Sequence, residues 1–234
     1  MIPFPISYLL KNLDDFERRF NDDALIAQGM SEAVIILALG VEWFTRHVKP
    51  NNNPDPWMLN GSQQWFSSHP VSPPDPRPII FLMRVTRLGD ALFTVIRRVR
   101  DSELIKQRFL TRNDTRSSFI EAEVASMLAH NNCAVRIVKE SGVRGQDFHL
   151  EITLRGLPVN VEVTAIAQRP LNAQTLLNRL RKKCNQVPKD NPAILYIHIP
   201  DSWMRNRSLA FLVLDRAIRR FFLQSRRYNM ICFI

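Results

Sequence analysis

Residues 147–164 constrain this chain more than any other stretch. They read Asp147-Phe-His-Leu-Glu-Ile-Thr-Leu-Arg-Gly-Leu-Pro-Val-Asn-Val-Glu-Val-Thr164, two alternating arms around an Arg155-Gly156 turn. With a side-chain period of two, Asp147, His149 and Glu151 share one face of the first arm. Asn160, Glu162 and Thr164 share a face of the second, opposite Val159, Val161 and Val163. If the arms pair across the turn, Asp147 and Glu162 fall near the same end of the hairpin. Two carboxylates placed there can hold one hard divalent cation.

A chain of 234 residues, 45% of them hydrophobic, can bury a real core as one large domain or as a domain with a substantial extension. Its formal charge of +10 points to a polyanionic partner, and nucleic acid is the first expectation. Residues 1–112 hold 14 Lys+Arg against 12 Asp+Glu, whereas residues 113–234 hold 18 against 10. The excess therefore travels with the hairpin. Cys133, Cys184 and Cys232 are far apart, without CxxC spacing, and read as buried thiols of a reducing compartment. The amino terminus lacks the basic start of a secretory signal, and the apolar run Ala33–Leu39 is far shorter than a membrane span. The expectation is a cytoplasmic protein with no membrane partner; its oligomeric state is open, a homodimer being one option.

Periodicity predicts helices over 13–48, broken near Ser31. Breaker-rich loops follow around Trp57, Trp65 and Phe66, where the tryptophans anchor loops to the core or stack on bases. Helix returns from Ile79 to Leu110, its last part a second short helix from Asp101, with Leu82, Val85, Leu88, Leu92, Val95, Ile96 and Val99 at three- and four-residue intervals and arginines on the polar side. After the polar connector 111–116, Thr115 or Ser117 caps a helix to about His130. Its stripe is Ile120, Val124, Met127 and Leu128, with Glu121 and Glu123 beside it. A strand over 133–138 precedes the hairpin. A helix over 173–186 comes next, carrying Arg179, Lys183 and Gln186 on one side. A continuously apolar strand over 193–199, a helix over 207–226 and a strand over 229–234 complete the order. The predicted fold class is α/β (α+β): a mixed central sheet flanked by helices over 113–234, preceded by an α-helical region over 1–112.

Phe119-Ile-Glu-Ala-Glu-Val-Ala-Ser-Met-Leu128, then a strand, Gly-Gln-Asp147-Phe, the hairpin, Val161-Glu-Val-Thr164 and a helix ending Arg-Lys-Lys-Cys-Asn-Gln186 before an apolar strand together resemble the PD-(D/E)XK nuclease superfamily, with its restriction-endonuclease-like fold. The resemblance spans about residues 112–200. It implies a metal-dependent nuclease acting on nucleic acid, DNA in the first place, with Mg2+ or Mn2+ as cofactor. It also implies metal ligands at Asp147, Glu162 and the backbone carbonyl of Val163, with Glu121, or its competitor Glu123, as the helical acid. That chemistry is sound: hydrolysis of a phosphodiester needs a cation that polarises the phosphoryl oxygen and acidifies a bound water.

Two positions depart from the family pattern. Gln146 stands where the family has Pro, and Thr164 stands where it has the Lys that assists the attacking water. A threonine hydroxyl can hydrogen-bond a water or a phosphate oxygen but cannot offset developing negative charge. The substitutes in reach are Lys183 or Lys182 on the following helix. Gln186 and Gln168 offer weaker polar positioning, and Arg116 and Arg179 are candidate phosphate contacts. The expected catalytic set is Asp147, Glu162, Thr164 and Lys183. Two readings stand against it: a catalytically impaired nuclease fold that binds nucleic acid or a protein partner without cutting, and a structural helical protein whose basic charge is incidental.

Overall fold

The computed structural model describes residues 23–48, 77–112, 114–143, 147–166, 171–184 and 186–234. The loops around Trp57 and Trp65, the first predicted helical turns, Gln146 and Gln168 lie outside them. The fold is mixed α/β, with a five-stranded mixed sheet flanked by helices. The chain divides into two compact units, Met1–His130 and Asn131–Ile234.

The first unit carries helices α1 (Asp23–Leu39), α2 (Val41–His47), α3 (Arg77–Arg98), α4 (Glu103–Thr111) and α5 (Thr115–His130). Between α1 and α2 the chain bends by 120°. The bend sits at Gly40, whose φ of 94° is open to glycine and strained for other residues, and not near Ser31, through which α1 runs unbroken. Asp101, at φ 59°, separates α3 from α4. Of the α3 stripe, Val85, Leu88, Leu92 and Val95 are buried, as is Val99 just beyond the helix, while Ile96 is half-buried. Trp43 of α2 is buried too, its indole N–H donating to the Phe109 carbonyl at 3.0 Å. No single helix among the described residues is long and apolar enough to cross a membrane.

Helix α5 begins differently from expectation. Its cap is Asp114, whose carboxylate accepts the Ser117 N–H at 3.1 Å and the Ser117 hydroxyl at 2.5 Å. Ile120, Val124 and Leu128 are buried as predicted, while Met127 is exposed. The helix packs against α3 and α4. By its contacts it therefore belongs to the first unit, and the division falls at 130/131, not at the polar connector before 113.

The second unit is the sheet with its two helices: β1 (Ala134–Ile137), β2 (Leu150–Leu154), β3 (Leu157–Ala165), α6 (Ala173–Cys184), β4 (Ala193–His198), a 3-10 turn over Asp201–Asn206, α7 (Arg207–Gln224) and β5 (Met230–Phe233). Strand order follows chain order, β1-β2-β3-β4-β5. The first three strands pair antiparallel, and β3, β4 and β5 pair parallel. Arg155 and Gly156 both have positive φ, 51° and 80°. That is the two-residue hairpin turn whose twist matches the paired strands, and it sets Leu154 opposite Leu157. Asn172 caps α6 by accepting the Gln174 and Thr175 N–H groups, and Asn206 caps α7 by accepting that of Leu209.

One face of the sheet packs on α6 and α7. Leu176, Leu177 and Leu180 from α6 meet Ala193, Leu195 and Ile197 from β4 and Leu214, Ala217 and Phe221 from α7. Each fully buried leucine contributes roughly 1.5–3 kcal/mol. In the parallel register Asn160 pairs with Ala193, Glu162 with Leu195 and Thr164 with Ile197. The polar stripe of β3 thus lies on the helix-covered face, in a row beside the apolar core.

Where α1 crosses α3, Gly89 has no room for a side chain. A Cβ there would lie 2.5 Å from the Ser31 Cβ and 2.6 Å from the Ser31 Cα. Gly89→Ala should therefore lower stability by about 1–3 kcal/mol through overpacking, net of a helix-propensity gain near 1 kcal/mol. Denaturant unfolding measures this, and a more stable variant would contradict the crossing.

Candidate functional site

The centre of the second unit is a ladder of polar side chains between β3 and α6. On β3, Thr164 and Glu162 are two residues apart, roughly 6.6 Å along a strand. On α6, Arg179 and Lys183 are four residues apart, roughly 6 Å along a helix. The two spacings nearly coincide, so each helical cation meets one strand residue. An Arg179 Nη donates to the Thr164 hydroxyl at 3.1 Å and to the Ala165 carbonyl at 3.3 Å. Lys183 Nζ donates to Glu162 Oε1 at 2.5 Å. Tyr228, itself buried, donates its hydroxyl to the Lys183 carbonyl at 3.0 Å and so holds the last turn of α6 over the strand.

His149 completes the surroundings of Glu162. Counting outward from the hairpin turn, Leu150 faces Val161, and the next pair would be His149 and Glu162. The His149 Nδ1 lies 3.2 Å from Glu162 Oε2 and 3.0 Å from the Val163 backbone N. The same nitrogen donates to the carboxylate when protonated and accepts the Val163 N–H when not. Glu162 is only 1% exposed. Burial pushes its carboxyl up, yet His149 and then Lys183 outweigh this by charge and hydrogen bond and hold it below the usual carboxylate range. Tyr228 is pushed the other way: burial raises its pKa, and the Glu162 and Cys184 charges raise it further.

Asp147 follows a different course. The chain bends at His149, and the Asp147 Oδ1 accepts the Ser141 N–H at 2.7 Å, the Ser141 hydroxyl at 2.8 Å and the Gly142 N–H at 3.2 Å. Its carboxylate thus closes the loop between β1 and β2. Glu121, the expected helical acid, is 2% exposed and gripped within the first unit. Arg108 donates to its Oε2 at 2.9 Å and Arg112 to its Oε1 at 2.7 Å. Its competitor Glu123 pairs with Arg87 at 2.6 Å, and burial raises its pKa in spite of that partner.

Of the other expected site residues, Val163 is a buried mid-strand residue paired with Tyr196, Lys182 is exposed on α6, and Gln186 lies just beyond α6 with its N–H on the Lys183 carbonyl. Arg116 is half-buried on α5 in the first unit. Two atoms of the Asn160 amide and the Gln186 Oε1 are buried with no protein hydrogen-bond partner. The structure thus gathers Glu162, Thr164, Arg179 and Lys183, adds His149 and Tyr228, and commits Asp147 and Glu121 to other partners. His149 was legible once the turn was known to be two residues long. Tyr228 carried no signal, because its contact with Lys183 spans 45 residues.

The donor types proposed for a metal, two carboxylates and a backbone carbonyl, suit magnesium. Their arrangement does not. Glu162 Oε1 already receives the Lys183 ammonium, Oε2 has His149 Nδ1 at 3.2 Å, and an Asp147 oxygen is taken by three donors of its own loop. Among the described residues, no three acidic, histidine or cysteine side chains converge to hold an ion. No family model, curated protein or solved structure matches this chain.

Charge distribution separates the two units more sharply than the sequence halves did. Residues 1–130 contain 15 Lys+Arg and 15 Asp+Glu, while residues 131–234 contain 17 and 7. The whole excess of +10 belongs to the sheet unit.

Two outcomes follow from these contacts. Glu121→Ala should cost about 3–5 kcal/mol of stability, because it leaves two arginines without their shared buried partner; an unchanged unfolding midpoint would contradict the clamp. Glu162 has a depressed folded pKa, so its stabilisation is present above the unfolded carboxylate value of about 4.3 and is lost as pH falls through the lower folded value. The stability gap between the native protein and Glu162→Gln should therefore be widest near neutrality and close in acid, as urea titrations at a series of pH values would show.

Proposed function

We propose that the sheet unit, residues 131–234, is a nucleic-acid-binding module of nuclease-like design that holds a phosphodiester backbone without cutting it. The observation that carries this reading is the confinement of the +10 excess to that unit, together with the internal pairing of its deeply buried acid, Glu162. A buried carboxylate facing a phosphate would repel it. Paired with Lys183 and His149, Glu162 presents no net negative charge, so the surrounding arginines and lysines set the field. Exposed Lys182, Arg181, Arg216 and Arg220 then contact phosphates, and Arg179 fixes Thr164. DNA is the first substrate class to examine, and a cytoplasmic setting belongs to the same reading.

A second reading, metal-dependent hydrolysis of nucleic acid, is favoured by one placement. Lys183 stands beside Glu162, where a hydrolytic site would need the cation that Thr164 cannot supply. The two readings diverge in a single assay. Supercoiled and linear DNA, and RNA, are incubated with the protein in magnesium or manganese, beside Asp147→Asn and Glu162→Gln. The binding reading expects intact nucleic acid throughout. Cleavage lost in both variants would establish the hydrolytic reading instead.

Binding itself is measured by fluorescence anisotropy against salt. The logarithm of affinity should fall linearly with the logarithm of salt concentration, by about 0.9 per phosphate neutralised. Lys182→Ala with Arg216→Ala and Arg220→Ala should weaken binding to all sequences alike and flatten that slope. An unaltered slope would remove these residues from the interface.

A further inference from the structure

We infer that the Lys183 ammonium is a resident counter-cation: it occupies the position at Glu162 that a divalent metal would take, and the site is thereby closed to magnesium. The inference deepens the binding reading above and rests on it only for its biological meaning, since the exclusion concerns Glu162 itself.

The geometry leaves a metal little room. Magnesium requires oxygen ligands at about 2.0–2.1 Å in a near-octahedral shell and gives up its waters reluctantly. Lys183 Nζ lies 2.5 Å from Glu162 Oε1, inside the space that such an ion and its waters would fill. The other oxygen, Oε2, has His149 Nδ1 at 3.2 Å. An arriving ion would have to displace a cation already bonded there, and would then stand close to two basic side chains and to Arg179 one step along the ladder. Nor is Lys183 a loosely held surface group. Its side chain is largely buried, its carbonyl receives the Tyr228 hydroxyl, and Arg181 on the same helix is tied to Gln224 of α7. The second carboxylate that would help hold an ion, Asp147, has its Oδ1 taken by Ser141 and Gly142.

The resident ammonium also gives Thr164 a rationale. A lysine at 164 would place a further cation on the same strand face, beside Arg179 and one step from Lys183. A hydroxyl that accepts from Arg179 completes the ladder without that repulsion.

The test is binding of magnesium and of manganese to the full chain, free of nucleic acid, by calorimetry and manganese electron paramagnetic resonance. The native protein should show no saturable site at millimolar metal that Glu162→Gln removes, and no metal-induced shift of its thermal midpoint that Glu162→Gln abolishes. Lys183→Gln should gain a saturable site with a Kd at least ten-fold below the highest metal concentration used, absent from Lys183→Gln with Glu162→Gln, whereas Lys183→Arg should behave like the native protein. Saturable, Glu162-dependent metal binding by the native protein overturns the proposal, as does a folded Lys183→Gln variant that gains nothing. If Lys183→Gln does not fold, the native titration and the Lys183→Arg comparison decide alone. Failure of nucleic-acid binding in the anisotropy assay would remove the function proposed above and leave this result standing.

Discussion

The carboxylate of Glu162 is held almost wholly out of water, and the second unit is arranged around keeping it charged there. Removing such a group from water costs several kcal/mol. Two opposite unit charges 4 Å apart recover about 4 kcal/mol at the effective dielectric found near protein sites. A single partner therefore does little more than break even, and a second tips the balance. The direction of the Glu162 shift agrees: burial is the largest influence and raises the pKa, but His149 and Lys183 together reverse it. Both partners are supplied by neighbouring elements, one from the end of β2 and one from α6.

This requirement restricts how α6 docks. A one-residue slip rotates a helix by about 100°, which would carry Lys183 away from the strand and leave the charge half-compensated. The leucines at 176, 177 and 180 would accept several packings by volume alone. The Arg179–Thr164 and Lys183–Glu162 pairs select one of them, and Tyr228 locks the helix end. The same contacts decide what the surface offers. An acid neutralised from within adds no net negative charge to a unit whose other charges are mostly basic.

Much of this was legible beforehand. The hairpin, its two-residue turn, the shared face of Asn160, Glu162 and Thr164, the covered apolar strand and the Arg179/Lys183 stripe all follow from short-range periodicity, which the backbone obeys wherever one face is buried. Lys183 reaching back to the hairpin could be anticipated because a β3-α6-β4 crossover must lay its helix on the strand it leaves. Glu121 shows the limit. As one of two acids beside an apolar stripe it invited a metal, but whether it found metal or arginine depended on which side of α5 faced Arg108 and Arg112. Asp147 shows another: alternation put it on the face of Glu162, and a bend at His149 gave its carboxylate to the loop over Ser141 and Gly142.

For the carboxy-terminal part, the sequence by itself determined the element order, the hairpin register and the basic character, because these depend on residue spacing and on a charge count that folding does not alter. Tertiary structure alone decided the partner of each acid. A carboxylate takes the nearest donors once it is buried, and the donors that reached Glu121, Asp147 and Glu162 came from other turns, loops and helices. For Glu162 that choice fell on Lys183 and His149, and it turned an apparent metal ligand into half of an internal ion pair.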